Sequence, residues 1–119
     1  MKPTILVVDD EQEIRKLLQD ALAEAYTIVT AEEGFHGLSE VMVGEQNIDL
    51  VITDLQMPGL DGVEFIKGLP EGMPFIIISG FLNLLKFREA LKELYPVAVF
   101  EKPFRMHALL QAIHRALGQ

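Results

Sequence analysis

The chain has 119 residues, the length of one ordinary domain, and can bury a hydrophobic core without covalent staples. Hydrophobic residues make up 50% and charged residues 24%, which excludes a disordered chain, and the absence of cysteine excludes disulfide frameworks, thiol nucleophiles and Cys-ligated metal centres. Lys and Arg number 10 against 18 Asp and Glu; the formal net charge of −8 repels phosphate backbones and argues against nucleic-acid binding by this domain.

The first apolar run, Thr4–Val8, stops at Asp9 and Asp10. A secretory signal needs ~7–15 apolar residues and a spanning helix ~20, and the longest later run, Met73 to Ile78, contains Pro74, so no membrane contact and a cytoplasmic location are expected. Ile14, Leu17, Leu18, Ala21 and Leu22 then recur at the spacing of one helix face. A second run, Tyr26–Thr30, precedes Phe35, Leu38 and Met42, the stripe of a second helix. Leu50–Thr53 is followed by Val63, Phe65, Ile66 and Leu69 on a short third helix that stops near Pro70. Phe75–Ile78 leads into a fourth helix with the stripe Leu84, Phe87, Leu91 and Leu94, ending before Pro96. Val97–Phe100 precedes the fifth, marked by Met106, Leu109, Leu110, Ile113 and Leu117, with Gly118 as its C-cap.

Most of the five runs are rich in Ile and Val and lack polar alternation, the pattern of strands covered on both faces. Five βα units in succession predict a single α/β domain over 1–119: a parallel sheet with right-handed crossovers and helices on both sides. Ligands of such sheets bind beyond the carboxyl ends of the strands. Asp9, Asp10 and Glu11 follow the first strand, Asp54 the third, Ser79 and Gly80 the fourth, and Lys102-Pro103-Phe104 the fifth. Each fragment has an ordinary reading: a helix cap, a turn, a surface corner, and turn punctuation at Pro58-Gly59 and Asp61-Gly62. Their conjunction at four of five strand ends points to chemistry. Clustered carboxylates raise one another's pKa values, and a hard cation, Mg²⁺, removes that cost. One carboxylate can then attack phosphorus, with Lys102 and the Ser79 hydroxyl neutralising the phosphoryl oxygens.

The motifs Val7-Val8-Asp9-Asp10-Glu11, Asp54-Leu55-Gln56-Met57-Pro58-Gly59-Leu60-Asp61-Gly62, Ile78-Ser79-Gly80 and Lys102-Pro103-Phe104 closely resemble those of receiver domains of two-component response regulators. The resemblance covers the whole chain. It implies a flavodoxin-like doubly wound (βα)5 sheet of order 2-1-3-4-5, and a signalling switch that catalyses only its own phosphorylation and slow dephosphorylation. It implies Asp54 as phosphoacceptor from a sensor histidine kinase or histidine phosphotransfer protein. Asp10 and Asp54 with the backbone carbonyl of Gln56 would hold Mg²⁺, and Asp9 would act largely through water. Lys102 would pair with the phosphoryl group, Ser79 would be the switch hydroxyl, and Gly80 the small residue that admits the phosphoryl group. Gln56 and Phe81, two places after Asp54 and Ser79, would tune hydrolysis; a bulky Phe81 either obstructs the attacking water or packs as a staple of the fourth helix. The face of fourth helix, fifth strand and fifth helix would bind a second copy or an output domain.

One position departs from the family pattern. The aromatic switch residue expected three places before the lysine is Val99, and Phe100 lies one place too late, pointing to the opposite sheet face. Either the strand carries a shift or the aromatic part of the switch is missing, and the Ser79–Lys102 spacing suggests an irregularity near Tyr95-Pro96. Leu82 and Leu85 fall away from the fourth helix's stripe, so that helix either exposes an apolar patch, extended by Val99, or buries both stripes. Three other readings compete. A receiver-like module that takes no phosphate is disfavoured by the complete set Asp9, Asp10, Asp54, Ser79 and Lys102. An aspartyl-phosphate hydrolase would need an acid where Gln56 stands, and a flavin carrier a hydroxyl-rich loop after the first strand.

Overall fold

Five strands, β1 (Thr4–Val8), β2 (Thr27–Ala31), β3 (Leu50–Thr53), β4 (Phe75–Ser79) and β5 (Ala98–Glu101), form one parallel sheet in the order β2-β1-β3-β4-β5 in the computed structural model, which describes residues 1–119. This is the expected strand order, and every strand lies within one residue of its expected bounds. Six helices connect or flank the strands: α1 (Gln12–Leu22), α2 (Gly34–Val43), α3 (Gly62–Lys67), α4 (Phe81–Lys86), α5 (Arg88–Leu91) and α6 (Met106–Ala116). No helix is long and apolar enough to cross a membrane.

Consecutive side chains of a strand point to opposite faces, so a strand covered on both sides is apolar at every position. Ile5, Val7, Leu50, Ile52, Ile76 and Ile78 face one layer, with Leu18 and Leu22 of α1 and Leu109, Ala112 and Ile113 of α6. Leu6, Val8, Val51 and Ile77 face the other, with Phe65 and Ile66 of α3 and the part-buried Leu38, Leu84, Phe87 and Leu91 of α2, α4 and α5. The central strands β1, β3 and β4 are almost wholly buried; β2 and β5 form the edges.

Three helices differ from their expected stripes. On α1 the seam is Ile14, Leu18 and Leu22, while Leu17 and Ala21 face solvent. The buried face of α2 is rotated: Phe35 and Met42 are exposed, and Gly34 and Gly37 are buried beside Leu38 and Val41. The glycines set this phase. A Cβ on Gly37 would meet the Phe65 ring at 2.8 Å and Val8 Cγ2 at 3.0 Å, and one on Gly34 the Leu60 carbonyl oxygen at 2.9 Å. The fourth expected helix is two: Phe87, at ψ 12°, closes α4 and opens α5. Neither Pro nor Gly lies between Phe81 and Leu91, so no local sequence signal marks the break. The C-cap of α6 is as read: Gly118 takes φ +70°, and the N–H groups of Gly118 and Gln119 donate to the carbonyls of Arg115 and His114, the Schellman pattern.

Candidate functional site

The sheet's hydrogen-bond ladder runs one step past the strands and fixes the backbone of the residues that follow. The N–H of Asp9 donates to the Ala31 carbonyl at 3.1 Å, that of Asp54 to Val8 at 3.1 Å, and that of Lys102 to Ser79 at 2.8 Å. Asp9, Asp54 and Ser79 are buried there, so the side chains converge from stiff bases.

Lys102 is the hub. Its Nζ lies 2.9 Å from Asp9 Oδ2, 2.8 Å from Asp54 Oδ2 and 2.7 Å from Glu11 Oε1. Asp54 Oδ1 accepts the Leu55 N–H at 2.6 Å and the Ser79 hydroxyl. Asp9 Oδ1 accepts the Glu11 N–H at 2.8 Å, and the Arg15 guanidinium donates to the Asp9 carbonyl at 2.7 Å. Burial lifts the Asp9 carboxyl from 3.8 to about 6, against the pull of the Glu11 N–H and Lys102; the Asp54 charge adds the smallest push. The expected elevation is therefore present, but desolvation rather than repulsion between carboxylates is its main cause. Burial acts on Lys102 in the other sense, yet hydrogen bonds to Asp54, Glu11 and Asp9 outweigh it and raise the ammonium's pKa.

Asp9, Asp10, Glu11 and Asp54 each offer a carboxylate oxygen, all within 4.8 Å of one another. The donors are hard oxygens, with no His or Cys in the group, and suit a divalent cation of the magnesium class. Glu11 is the member to which sequence reasoning gave no role, although it completes the Asp9-Asp10-Glu11 run.

The rim residues fall in two places. Gln56 is exposed; its Oε1 accepts from Lys86 Nζ of α4 at 3.2 Å, and its backbone carbonyl accepts no main-chain hydrogen bond. Gly80 borders open space, since a Cβ there would meet nothing within 4 Å, and Phe81 beside it is 59% exposed, which rules out the staple packing. Val99 is apart from the acidic cluster. It pairs with Ile77 and so shares the sheet face of α4 and α5, while Phe100 packs on the α6 side. The β4–β5 register runs unbroken from Ile76–Ala98 to Ser79–Glu101, so the strand carries no shift and the aromatic is absent at Val99. Leu82 and Leu85 are 75% and 49% exposed, so α4 does not bury both stripes. Asp61-Gly62 is more than turn punctuation. Asp61 caps α3 by accepting the Glu64 N–H at 2.9 Å, and a Cβ on Gly62 would meet the Asp54 carbonyl oxygen at 2.2 Å.

Fold and site together define a class: a doubly wound α/β domain with a buried carboxylate, a hydroxyl and an ammonium meeting beside an acidic cluster. The family model of the response regulator receiver domain matches residues 5–114, and the chain belongs to that family, the receivers of two-component phosphorelay signalling. It is 33% identical over 121 residues to the sporulation initiation phosphotransferase F of Bacillus subtilis, covering 98% of this chain and 95% of that protein. It is 37% identical over 122 residues to the transcriptional regulatory protein GlrR of Escherichia coli, covering 97% of this chain but 26% of that protein. Among solved structures, a response regulator receiver domain protein from Clostridium thermocellum superposes with a TM-score of 0.86 at 30% identity, covering 98% of this chain and 94% of that one. Chemotaxis protein CheY4 of Vibrio cholerae gives 0.85 at 26% identity, covering 98% and 100%.

Proposed function

We propose that this receiver acts in the cytoplasm and that Asp54 takes a phosphoryl group from a phosphohistidine of a sensor histidine kinase or histidine phosphotransfer protein. The observation that carries the reading is the meeting of Asp54 with Ser79 and Lys102 beside the acidic cluster. An Asp54 carboxylate oxygen forms the bond to phosphorus as the phosphorus–nitrogen bond breaks, and the imidazole leaves as the neutral ring, keeping the proton already on its other nitrogen. Asp9, Asp10 and Asp54, with the Gln56 carbonyl, would hold Mg²⁺, which supplies charge neutralisation for the phosphoryl oxygens. Lys102 shifts from its carboxylates to the incoming phosphoryl oxygens. The Ser79 hydroxyl, which now donates to Asp54, turns its proton to one of them. Gly80 leaves room for the group, as the open space beyond its Cα allows.

The output surface in this reading is the face of α4, β5 and α6, where the exposed Leu82, Leu85 and Val99 receive a second copy or an output domain. With Val99 in place of an aromatic, the signal passes through Ser79 and repacking of α4. The test is incubation with a small phosphoryl donor, with and without Mg²⁺, followed by intact-protein mass spectrometry. Wild type should gain one phosphoryl group only with Mg²⁺, and Asp54→Asn none; modification of Asp54→Asn to the wild-type extent sinks the assignment.

A further inference from the structure

The three carboxylate partners of Lys102 are not equivalent. Asp9 and Asp54 are buried at strand ends, whereas Glu11 stands at the N-cap of α1 with its side chain 55% exposed. The Glu11 carboxylate has no other hydrogen-bond partner, and its backbone is anchored by the N–H donated to Asp9. The Asp9 and Asp54 carboxylates that Lys102 contacts belong, as Glu11 itself does, to the cluster suited to a cation. An ammonium and a divalent cation on the same carboxylates repel strongly. Lys102 must therefore give up part of these contacts for a cation to bind. Its side chain is only 14% exposed, and a charge left unpaired in such a setting is costly. Glu11 is the one partner whose side chain has solvent to move into.

We propose that Glu11 is a positioning residue: it draws the Lys102 ammonium off Asp9 and Asp54 as a cation enters, and holds it at the mouth of the site, where the phosphoryl group of Asp54 would arrive. The inference rests on the Mg²⁺ reading given above and adds a residue that acts through Lys102 rather than as a ligand. By this account Glu11 aids cation binding only while Lys102 is present.

The experiment is a Mg²⁺ titration read by thermal melting of wild type, Glu11→Gln, Lys102→Met and the double variant. Glu11→Gln should raise the half-saturating Mg²⁺ concentration about fivefold, the fold-change of an ion pair near the top of the exposed range. Lys102→Met should bind Mg²⁺ more tightly than wild type, and adding Glu11→Gln to it should change nothing. An equal loss in both backgrounds makes Glu11 act on the cation directly and overturns the proposal. So does unchanged or tighter binding in Glu11→Gln. If wild type shows no response to Mg²⁺, the cation reading itself falls, and this inference with it. Lys102→Gln, with calorimetric titration at low temperature, serves the same cycle if Lys102→Met is too unstable to melt cleanly.

Discussion

The buried charge of Asp9 weighs against the fold, and Asp9→Asn measures that weight. Burial pushes its carboxyl up from 3.8 to about 6, so between these values the folded state holds more protons than the unfolded one. Stability must then fall as pH rises through that window and stay low above it. A gap of about two pH units, at 1.36 kcal/mol each, is about 3 kcal/mol at pH 7. The gap shrinks to about half at pH 5 and is nearly gone at pH 4. Asn keeps an oxygen for the Glu11 N–H and removes the buried charge, and Lys102 retains Asp54 and Glu11. Asp9→Asn should therefore be more stable than wild type at pH 7, by about 10 °C in Tm for a chain of this size. Urea unfolding of both proteins from pH 4 to pH 7 checks it. An Asp9→Asn protein that is less stable at pH 7, or a difference that does not change with pH, refutes the reasoning. Mg²⁺ gives a second arm: it should raise the wild type toward the variant, by about 2.7 kcal/mol at a hundred times its dissociation constant.

Three further outcomes are expected. Gly62→Ala should cost more than Gly37→Ala in urea unfolding, on the order of 4 against 1–3 kcal/mol, because the new Cβ meets the Asp54 backbone in the first case and the Phe65 ring in the second; the reverse order would be wrong for this packing. Leu85→Asp should leave stability within about 0.5 kcal/mol of wild type while abolishing any self-association seen by sedimentation, since Leu85 projects from α4 into solvent; an unfolded variant would place Leu85 in the core. If Asp54 is phosphorylated as proposed, Phe81→Ala should shorten the life of the acyl phosphate, the exposed ring next to Gly80 being the group proposed to obstruct the attacking water; an unchanged decay rate would free Phe81 of that role.

The sheet was legible because its physics is local. A strand covered on both faces must be apolar at successive positions, and Leu6, Val7 and Val8 or Val51 and Ile52 say so without reference to anything else in the chain. The phase of α2 was not legible in the same way. Reading apolar side chains assigns Phe35 and Met42 inward with Leu38; Leu38 does pack, but the closest approach is made by a residue that lacks a side chain: Gly37 lets the helix axis approach Phe65 and Val8 closely enough that no Cβ fits. A periodicity of hydrophobic residues cannot report a surface whose point is closeness. The break at Phe87 is a second case, with no Pro or Gly to announce it.

At the site the division runs between geometry and environment. Strand-end placement follows from chain order alone, so Asp9, Asp54, Ser79 and Lys102 could be brought to one edge before any coordinate was known. Strand parity likewise fixed that Phe100 could not stand in for Val99, and the unbroken pairing of Ile77 with Val99 agrees. The charge balance could not be read that way. Three neighbouring carboxylates suggest mutual repulsion as the dominant cost, but Asp9 is perturbed chiefly by burial, which depends on how the layers close over it. Nor does spacing tell that Lys102 reaches Glu11, 91 residues earlier, because that contact depends on two flexible side chains meeting above the sheet edge. Glu11 and Lys102 therefore carry the part of the site's behaviour that chain order leaves open: which of the ammonium's three acid partners holds it when a cation competes for the others.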